Sequence, residues 1–377
     1  CVIDGAFYIL IADLGGSLWD CGDFVASCFK LQIPHPPGAP LFVITGRIFI
    51  VLFGDNPLTA AKAVNIMSAL ASGFTILFLF WTITHFTRKI YQKRNPAVVL
   101  TGEQVFTIMA AGVVGALAFT FSDSMWYSAV EGEVYAASSF LTALVFWMIL
   151  KWEHAADETG AARWIVLIFY VIGLSIGIHL LNLLPIPAIV MVYYFKRYKT
   201  TGWGIFWAFI VGCILTGFVQ KFVIQYTITG SGIFDRWFVN GLGMPFFSGF
   251  ATYLVLLAVV IAIGIRWADK LMNKFTGFAI WLTVFIFLFA FPFITSFLTF
   301  LLFAGGTALA IYDAYNYRAR ILSFLKLGLW CFAFMLIGYS TYLTTMIRSS
   351  ANPSVDMYNV DNPMSLVGYL GREQYGD

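Results

Sequence analysis

Long apolar runs, separated by short loops that carry most of the charges, constrain this chain more strongly than any other feature. A helix needs about 20 apolar residues to cross a bilayer, and only helices and closed barrels satisfy their backbone hydrogen bonds there. The pattern predicts an all-α polytopic membrane protein with about 10–11 transmembrane helices, counting a short first stretch. The ten predicted spans after that stretch are Leu58–Thr87, Glu103–Phe121, Val134–Leu150, Trp164–Leu180, Leu181–Phe195, Trp203–Ile224, Phe246–Ile265, Phe275–Phe291, Phe293–Ile311 and Leu322–Met346.

The composition agrees with a membrane protein. Only 11% of the 377 residues are charged and 60% are hydrophobic, whereas soluble domains contain about 25% charged residues. The formal net charge of +3 gives no argument for a nucleic-acid partner. Membrane lipids are therefore the expected surroundings of the chain.

The two ends of the sequence suggest an incomplete protein. The apolar stretch Val2–Ala12 is too short to span, and we interpret it as the end of a truncated first helix. Residues 1–346 are expected to form one transmembrane domain, in which the outer loop 13–57 carries acidic residues. Residues 347–377 are expected to form a periplasmic carboxyl-terminal segment that is also truncated.

The distribution of basic residues predicts the orientation, because cytoplasmic loops are rich in Lys and Arg. The opposite loops, Asp13–Leu58, Ser122–Glu133, Thr229–Pro245 and the carboxyl-terminal tail, then face outward, which in a bacterial inner membrane is the periplasm. Fourteen of the 22 Lys and Arg residues lie in the loops of one side: Arg88, Lys89, Lys93, Arg94, Lys151, Arg163, Lys196, Arg197, Lys199, Arg266, Lys270, Lys274, Arg318 and Arg320.

Two helix breaks are predicted at membrane depth. The first is His179-Leu180-Leu181-Asn182, followed by Pro185 and Pro187, and the second is Pro292. Proline removes a backbone donor, so such breaks persist only where protein or water covers them. His179 and Asn182 are functional candidates there, with helix-to-helix hydrogen bonding as the alternative.

Acidic residues gather in the outer loops. Asp20 and Asp23 are three residues apart, so that on a helix they share a face. The alternative is that Asp20 only caps this helix and Asp23 only suits its positive end. Glu131 and Glu133 converge in a turn, where two carboxylates need a cation, a metal or a hydrogen-bonding substrate unless the loop is fully solvated. Asp13, Asp123 and Asp235 complete the group.

The first outer loop also contains a stiff turn and an isolated arginine. Pro34-His35-Pro36-Pro37-Gly38-Ala39-Pro40 cannot form a helix. It either holds His35 in place or is a buried helix cap or a simple connector. Arg47 lies in the apolar stretch Leu41–Phe53, where it either snorkels to the interface or binds a phosphate. Leu41–Phe53 and Asp20–Ile33 are predicted as two short helices on the outer surface.

These pieces together resemble domain-of-unknown-function family 2723. The first outer loop carries Trp19-Asp20-Cys21-Gly22-Asp23-Phe24, His35-Pro36-Pro37-Gly38-Ala39-Pro40-Leu41 and Gly46-Arg47-Ile48-Phe49. Later matching motifs are Glu133-Val134-Tyr135-Ala136, Gly173-Leu174-Ser175-Ile176-Gly177-Ile178-His179-Leu180-Leu181-Asn182, Ile347-Arg348-Ser349-Ser350-Ala351-Asn352-Pro353 and Arg372-Glu373-Gln374-Tyr375-Gly376.

That family is similar to the animal endoplasmic-reticulum protein O-mannosyltransferases and to the GT-C membrane glycosyltransferases. The resemblance implies transfer of a sugar, with mannose among the candidates, from a polyprenyl-phosphate-linked donor to a protein or glycan acceptor. Transfer would occur on the non-cytoplasmic face with inversion. Asp20 and Asp23 occupy the place of the GT-C catalytic acid, although the family commonly has Glu at the position of Asp23.

The remaining candidates are expected to bind substrate. They are His35, Arg47, Glu131, Glu133, Tyr135, His179 and Asn182. A divalent metal is a candidate cofactor, for which Glu131 and Glu133 form a weak motif. The competing function is a secondary transporter or lipid flippase without transferase activity, because transporters also have broken helices and polar groups at membrane depth. The clustering of acids at one surface and the lack of a visible inverted repeat favour the enzyme.

Overall fold

The computed structural model describes residues 2–12, 15, 19–92 and 97–376, without the side chains of Val2, Ile3 and Arg320. Asp13, Lys93 and Arg94, which entered the topology prediction, lie outside the described residues. The described helices are α1 (Val2–Ile11), α2 (Cys21–Lys30), α3 (Pro40–Leu52), α4 (Pro57–Gln92), α5 (Gly102–Thr120), α6 (Asp123–Val130), α7 (Val134–Ala155), α8 (Ala162–Ile176), α9 (Pro185–Arg197), α10 (Gly202–Phe218), α11 (Thr227–Leu242), α12 (Ser248–Met272), α13 (Phe275–Ala290), α14 (Phe297–Asn316), α15 (Arg318–Tyr339), α16 (Leu343–Ser349) and α17 (Pro363–Gly371).

The all-α polytopic architecture is confirmed. Within the described ranges, eight helices are long and apolar enough to cross a membrane. Each of the ten predicted spans coincides with a helix, but α8 and α9 have only 15 and 13 residues, and the first stretch, α1, has 10. The eight long segments are Pro57–Gln92, Gly102–Thr120, Val134–Ala155, Gly202–Leu242, Ser248–Met272, Phe275–Phe293, Phe297–Asn316 and Ile321–Ser349.

Both predicted breaks are confirmed. Helix α8 ends at Ile176, a 3₁₀ turn covers Leu180–Leu183, and α9 begins at Pro185. Proline suits this first helical position because its missing N–H would have no partner there. The second break is the 3₁₀ turn Phe291–Phe293, after which the side chain of Ser296 caps α14.

The prediction of a loop over Thr229–Pro245 is wrong. A π-helical stretch, Val219–Tyr226, joins α10 to α11, and the helical path continues to Leu242. Asp235, which was counted among the outer acids, is buried in α11 and accepts the backbone N–H groups of Gly249 and Phe250 at the start of α12. An acid that satisfies helix-terminal donors is a structural cap.

Helices α8 and α15 cross at two glycines. A Cβ atom on Gly173 would lie 2.2 Å from the carbonyl oxygen of Met335, and one on Gly338 would lie 2.5 Å from that of Tyr170. Small residues allow membrane helices to approach this closely and to pack well. This crossing supports the wall of the cavity described below, because α8 and α15 lead into Ile178 and Tyr342.

The two ends of the helical bundle differ in charge. Ion pairs join Lys89 to Glu153, Lys196 to Asp157 and Lys326 to Asp269 at the end that carries the basic loops, which we call the basic end. Glu133 directly precedes α7 and Glu153 lies near its end, so these two carboxylates are about 30 Å apart along the helix. The end that contains Glu133 is called the acidic end.

Candidate active site

A cavity of about 380 Å³ opens at the acidic end. The predicted first-loop helices α2 and α3 are both present, and the proline turn between them forms one wall. Other walls come from the start of α7, the break after α8, the end of α15 and the residues after α17. The lining residues are Asp20, Phe24, His35, Pro36, Pro37, Gly38, Ala39, Glu133, Val134, Tyr135, Ile176, Ile178, His179, Leu180, Tyr342, Arg372 and Tyr375.

His35 is held between the two aspartates of α2. One carboxylate oxygen of Asp23 accepts both the backbone N–H of His35, at 3.2 Å, and the Nδ1–H group, at 2.8 Å. The Nε2 atom lies 3.6 Å from a carboxylate oxygen of Asp20. The Asp20 side chain is 61% exposed and that of Asp23 only 23%, so Asp20 is the acid that an incoming molecule can reach.

The charges of this group favour a protonated imidazole. The Asp23 hydrogen bond raises the pKa of His35 above its ordinary value, against the effect of burial, and the charges of Asp20 and Glu133 act in the same direction as Asp23. An imidazolium donates from both ring nitrogens, which suits a ring with a carboxylate on each side. Asp20 occupies the helix N-cap position, but its side chain makes no capping hydrogen bond. Its carboxylate is thus not engaged in capping α2 and has His35 as its neighbour.

Glu131 and Glu133 meet at the thiol of Cys21. The Sγ atom lies 3.6 Å from an oxygen of Glu131 and 3.8 Å from one of Glu133. Burial raises the pKa of the Cys21 thiol, and the two carboxylates raise it further, so the thiol remains a donor to them. A Cβ atom on Gly132 would lie 3.1 Å from the Asn65 side chain, which shows how closely this turn packs on α4.

Glu133 is the buried carboxylate of the cavity, with 6% of its surface exposed. Burial raises its pKa above the ordinary value, the Val134 N–H opposes this through a hydrogen bond, and the charges of Asp20 and Glu131 raise it further. Glu133 therefore binds a proton more readily than an exposed glutamate does. It lines the cavity, whereas Glu131 supports the turn from behind.

Tyr135 and His179 line the cavity together. Their ring centroids are 5.5 Å apart. The Nδ1 atom of His179 accepts the N–H of Leu181 at 3.2 Å. In the neutral ring the proton therefore sits on Nε2, which makes His179 a hydrogen-bond donor for a bound ligand.

Arg372 is the basic residue that lines the cavity. It follows α17, in the left-handed conformation with φ 60°. Its guanidinium has no hydrogen-bond or ion-pair partner among the described residues, and it lies near enough to influence His179 electrostatically. A guanidinium without a protein partner in the lining of a cavity is suited to an anionic group of a ligand.

The structure does not bring Arg47 to the cavity. Its guanidinium donates to the carboxylate of Asp55 at 2.5 and 3.1 Å and to the Phe29 carbonyl at 2.7 Å. These hydrogen bonds hold the pKa of Asp55 below its ordinary value. The phosphate hypothesis rested on an unpaired guanidinium, and the turn at Gly54, with φ 95°, brings Asp55 back to pair with it.

Asn182 lies behind the cavity wall rather than on it. It is buried, and its side-chain oxygen accepts the hydroxyls of Ser138 at 2.7 Å and Thr142 at 2.8 Å. Its amide group donates to the Ser175 carbonyl at 3.2 Å. These bonds join α7 to the break after α8, which is the helix-to-helix alternative to substrate binding.

Replacing Asn182 by Ala should destabilise the protein while leaving the turnover of folded molecules close to normal. The buried hydroxyl of Ser138 and the partly buried hydroxyl of Thr142 would lose their acceptor, at a cost of about 1–3 kcal/mol. Thermal unfolding of the purified protein in detergent, followed by tryptophan fluorescence, measures the loss. An unchanged melting temperature together with lost turnover would instead restore Asn182 to substrate binding.

The arrangement can carry out acid–base chemistry at an anionic ligand. It combines a reachable carboxylate, a charged imidazole, a buried glutamate that binds a proton readily and a free guanidinium. Across residues 2–12, 15, 19–92 and 97–376, no group of three or more His, Cys, Asp and Glu side chains is placed to hold a metal ion. The sequence analysis identified the paired acids and the proline turn as candidates. It did not identify Arg372, Tyr342 or Cys21 as candidate site residues.

The chain is similar to known protein O-mannosyl-transferases. Residues 20–202 match the family model for the protein O-mannosyl-transferase TMEM260 N-terminal domain. The chain is 23% identical over 129 residues to the protein O-mannosyl-transferase tmem260 of Dictyostelium discoideum, covering 34% of this chain and 13% of that protein. It is 25% identical over 157 residues to the mouse protein O-mannosyl-transferase TMEM260, covering 42% of this chain and 19% of that protein.

These matches support an O-mannosyl-transferase-like family. The family model covers the part of the chain that contains Asp20, His35 and Glu133. The aligned region spans only a small part of the length of either relative, 13% and 19%. No solved structure matches the chain at a significant level.

Proposed function

We propose that this protein is a membrane glycosyltransferase that transfers a sugar, mannose in the first instance, from a polyprenyl-phosphate-linked donor to a protein or glycan acceptor. The carrying observation is the cavity that Asp20, His35, Glu133 and Arg372 all line. The similarity of residues 20–202 to an O-mannosyl-transferase domain supports the reaction class. The matches described above are to O-mannosyl-transferases and give no support to the alternative of a secondary transporter or flippase.

Asp20 is the general base in this mechanism. The acceptor hydroxyl oxygen attacks the anomeric carbon, the bond from that carbon to the phosphate oxygen breaks, and Asp20 takes the hydroxyl proton. The polyprenyl phosphate leaves with the bonding electrons, and attack from the opposite face inverts the configuration. A phosphate is already a good leaving group, so the step needs a base and charge stabilisation rather than a general acid.

Asp23 and His35 act behind the base. Asp23 binds the imidazole through Nδ1 at 2.8 Å, and the Nε2 side faces Asp20. The imidazole, 3.6 Å from the Asp20 carboxylate, orients it, as an orienting group does for a catalytic base. Glu133, being buried beside them, is suited to hydrogen-bond a sugar hydroxyl.

Arg372 and His179 are proposed to bind the donor phosphate, the role first considered for Arg47. The guanidinium offers two parallel donors to phosphate oxygens, and the Nε2–H of His179 offers a third. Negative charge on the phosphate grows as the glycosidic bond breaks. Both contacts therefore strengthen towards the transition state and raise turnover as well as affinity.

Sugar release from a panel of polyprenyl-phosphate sugars by the purified protein tests the function. We expect one donor, with mannose as the first candidate, to be cleaved faster in the presence of an acceptor peptide. Absence of cleavage across mannose, glucose, galactose and N-acetylglucosamine donors, by a protein that remains folded, would refute the proposal.

The cavity is proposed to face the non-cytoplasmic side, which in a bacterium is the periplasmic side of the inner membrane. A cysteine at exposed Tyr127, on α6 of the acidic end, should react with an impermeant maleimide in intact cells. A cysteine at exposed Glu158, in a basic loop, should react only after the membrane is opened. Cys1 and Cys213 are replaced first, whereas Cys21, Cys28 and Cys331 are buried. The reverse labelling pattern would overturn the orientation.

A further inference from the structure

The carboxyl-terminal segment, residues 347–376, folds back onto the proline turn that carries His35. Tyr369, on α17, is completely buried. Its hydroxyl donates to the Pro34 carbonyl at 2.6 Å and lies 3.5 Å from that of His35. A buried phenol needs a partner for its hydroxyl, and here the partner is the backbone of the turn at the cavity.

Gly38 allows the proline turn to pack closely against the Tyr369 side chain. Its φ of +70° favours glycine, and a Cβ atom there would lie 2.3 Å from the Tyr369 hydroxyl oxygen. Tyr342, in the 3₁₀ turn Ser340–Tyr342 that follows α15, approaches the same residue, with its hydroxyl 3.4 Å from the Gly38 carbonyl oxygen. The turn is thus enclosed by two tyrosines that come from the far end of the sequence.

The strand-like residues before the turn are held by the same segment. The N–H of Ile33 donates to the Val355 carbonyl at 3.0 Å, and the N–H of Met357 donates to the Ile33 carbonyl at 3.2 Å. Arg348 donates to the Leu31 carbonyl at 2.7 Å. The backbone that leads to His35 is therefore fixed by the carboxyl-terminal segment, while Asp23 fixes the imidazole from the opposite side.

We propose that Tyr369 is a positioning residue for His35, whose hydroxyl fixes the backbone of Pro34 and His35 and so sets the imidazole between Asp23 and Asp20. The expected effect on turnover rests on the proposed function, whereas the positioning of His35 rests on the contacts described above. A ring that only filled space would need no hydroxyl directed at this turn. The carboxyl-terminal segment thereby forms part of the site, both through Tyr369 and through Arg372.

Tyr369→Phe tests the proposal because it removes only the hydroxyl. We expect a turnover number about 10-fold lower with the donor KM within about 2-fold of normal, since small displacements of catalytic groups slow chemistry more than binding. Tyr253→Phe is the matched control. That buried hydroxyl donates to the Leu288 carbonyl at 2.8 Å, the same kind of bond, and Tyr253 does not line the cavity.

A second measurement follows His35 without any need for activity. Diethyl pyrocarbonate modifies the neutral imidazole, and peptide mass spectrometry separates His35 from His85, His154 and His179. The pH at which the modification of His35 is half-maximal, the midpoint, should lie above the ordinary histidine pKa, because Asp23, Asp20 and Glu133 favour the charged ring. Tyr369→Phe should move the midpoint down towards the ordinary value, and Tyr253→Phe should leave it in place.

The outcomes separate the two proposals. An unchanged midpoint and unchanged turnover in Tyr369→Phe, or equal changes in both variants, would overturn the positioning role. If the wild-type protein cleaves no donor, the proposed function fails, and the midpoints alone then decide whether Tyr369 positions His35. Melting temperatures of both variants show that each protein is folded when it is measured.

Discussion

Replacement of Asp20 by Asn should lower sugar transfer by about 10²–10⁴-fold, the contribution expected of one catalytic proton acceptor. The amide is nearly the same size but cannot take the acceptor proton. Asp20 makes no capping hydrogen bond and its side chain is mostly exposed, so folding and membrane insertion should be unaffected. Initial rates with saturating donor and acceptor, measured on purified protein, give the effect.

Asp55→Asn is the control for that substitution. Asp55 is also an acid of the first loop, but it pairs with Arg47 and does not line the cavity. Its loss removes a solvent-screened surface ion pair, which contributes little to stability. Near-normal transfer by Asp20→Asn would remove Asp20 from the mechanism and shift the role of base to Glu133.

Replacement of Arg372 by Gln should lower kcat/KM for the donor by about 10- to 100-fold. Hydrogen bonds to charged groups contribute about 1.5–3 kcal/mol, and a tenfold change corresponds to about 1.4 kcal/mol. Both the turnover number and the donor affinity should fall, because the phosphate gains charge in the transition state. Steady-state kinetics over a range of donor concentrations separate the two effects.

Arg47→Gln is the informative comparison, because it distinguishes the two arginines considered for the phosphate. If Arg47→Gln is the variant that loses donor affinity and turnover while Arg372→Gln retains both, the assignment from the cavity is wrong. The guanidinium of Arg47 would then have to leave Asp55 to reach the donor, although 2.5 and 3.1 Å separate them in this structure.

The helical framework could be predicted from the sequence because its determinants are local. Apolar runs mark each span, and prolines mark the breaks at Pro185 and Pro292. Helix α11 was missed because the polar residues of Thr229–Pro245 were interpreted as a loop. Burial of Asp235 beneath the start of α12 is a tertiary contact that no local pattern reveals.

The acidic residues of the candidate site could be predicted from the sequence, but the partners of its charged side chains could not. The spacing of Asp20 and Asp23 indicates a shared helical face, but only the fold shows that His35 lies between them. For Arg47 the partner came from a turn eight residues away. The arginine that lines the cavity is Arg372, more than 300 residues after Asp20 and His35. Local sequence patterns do not reveal contacts between residues so far apart in the chain.

Proteoliposomes that contain purified protein, radiolabelled polyprenyl-phosphate mannose and an acceptor peptide test the central claim most directly. The account predicts that label becomes covalently attached to the peptide with inverted anomeric configuration, and that Asp20→Asn protein attaches almost none. Movement of intact labelled donor across the bilayer at the wild-type rate, without cleavage of the sugar–phosphate bond, would contradict it and identify a lipid transporter instead.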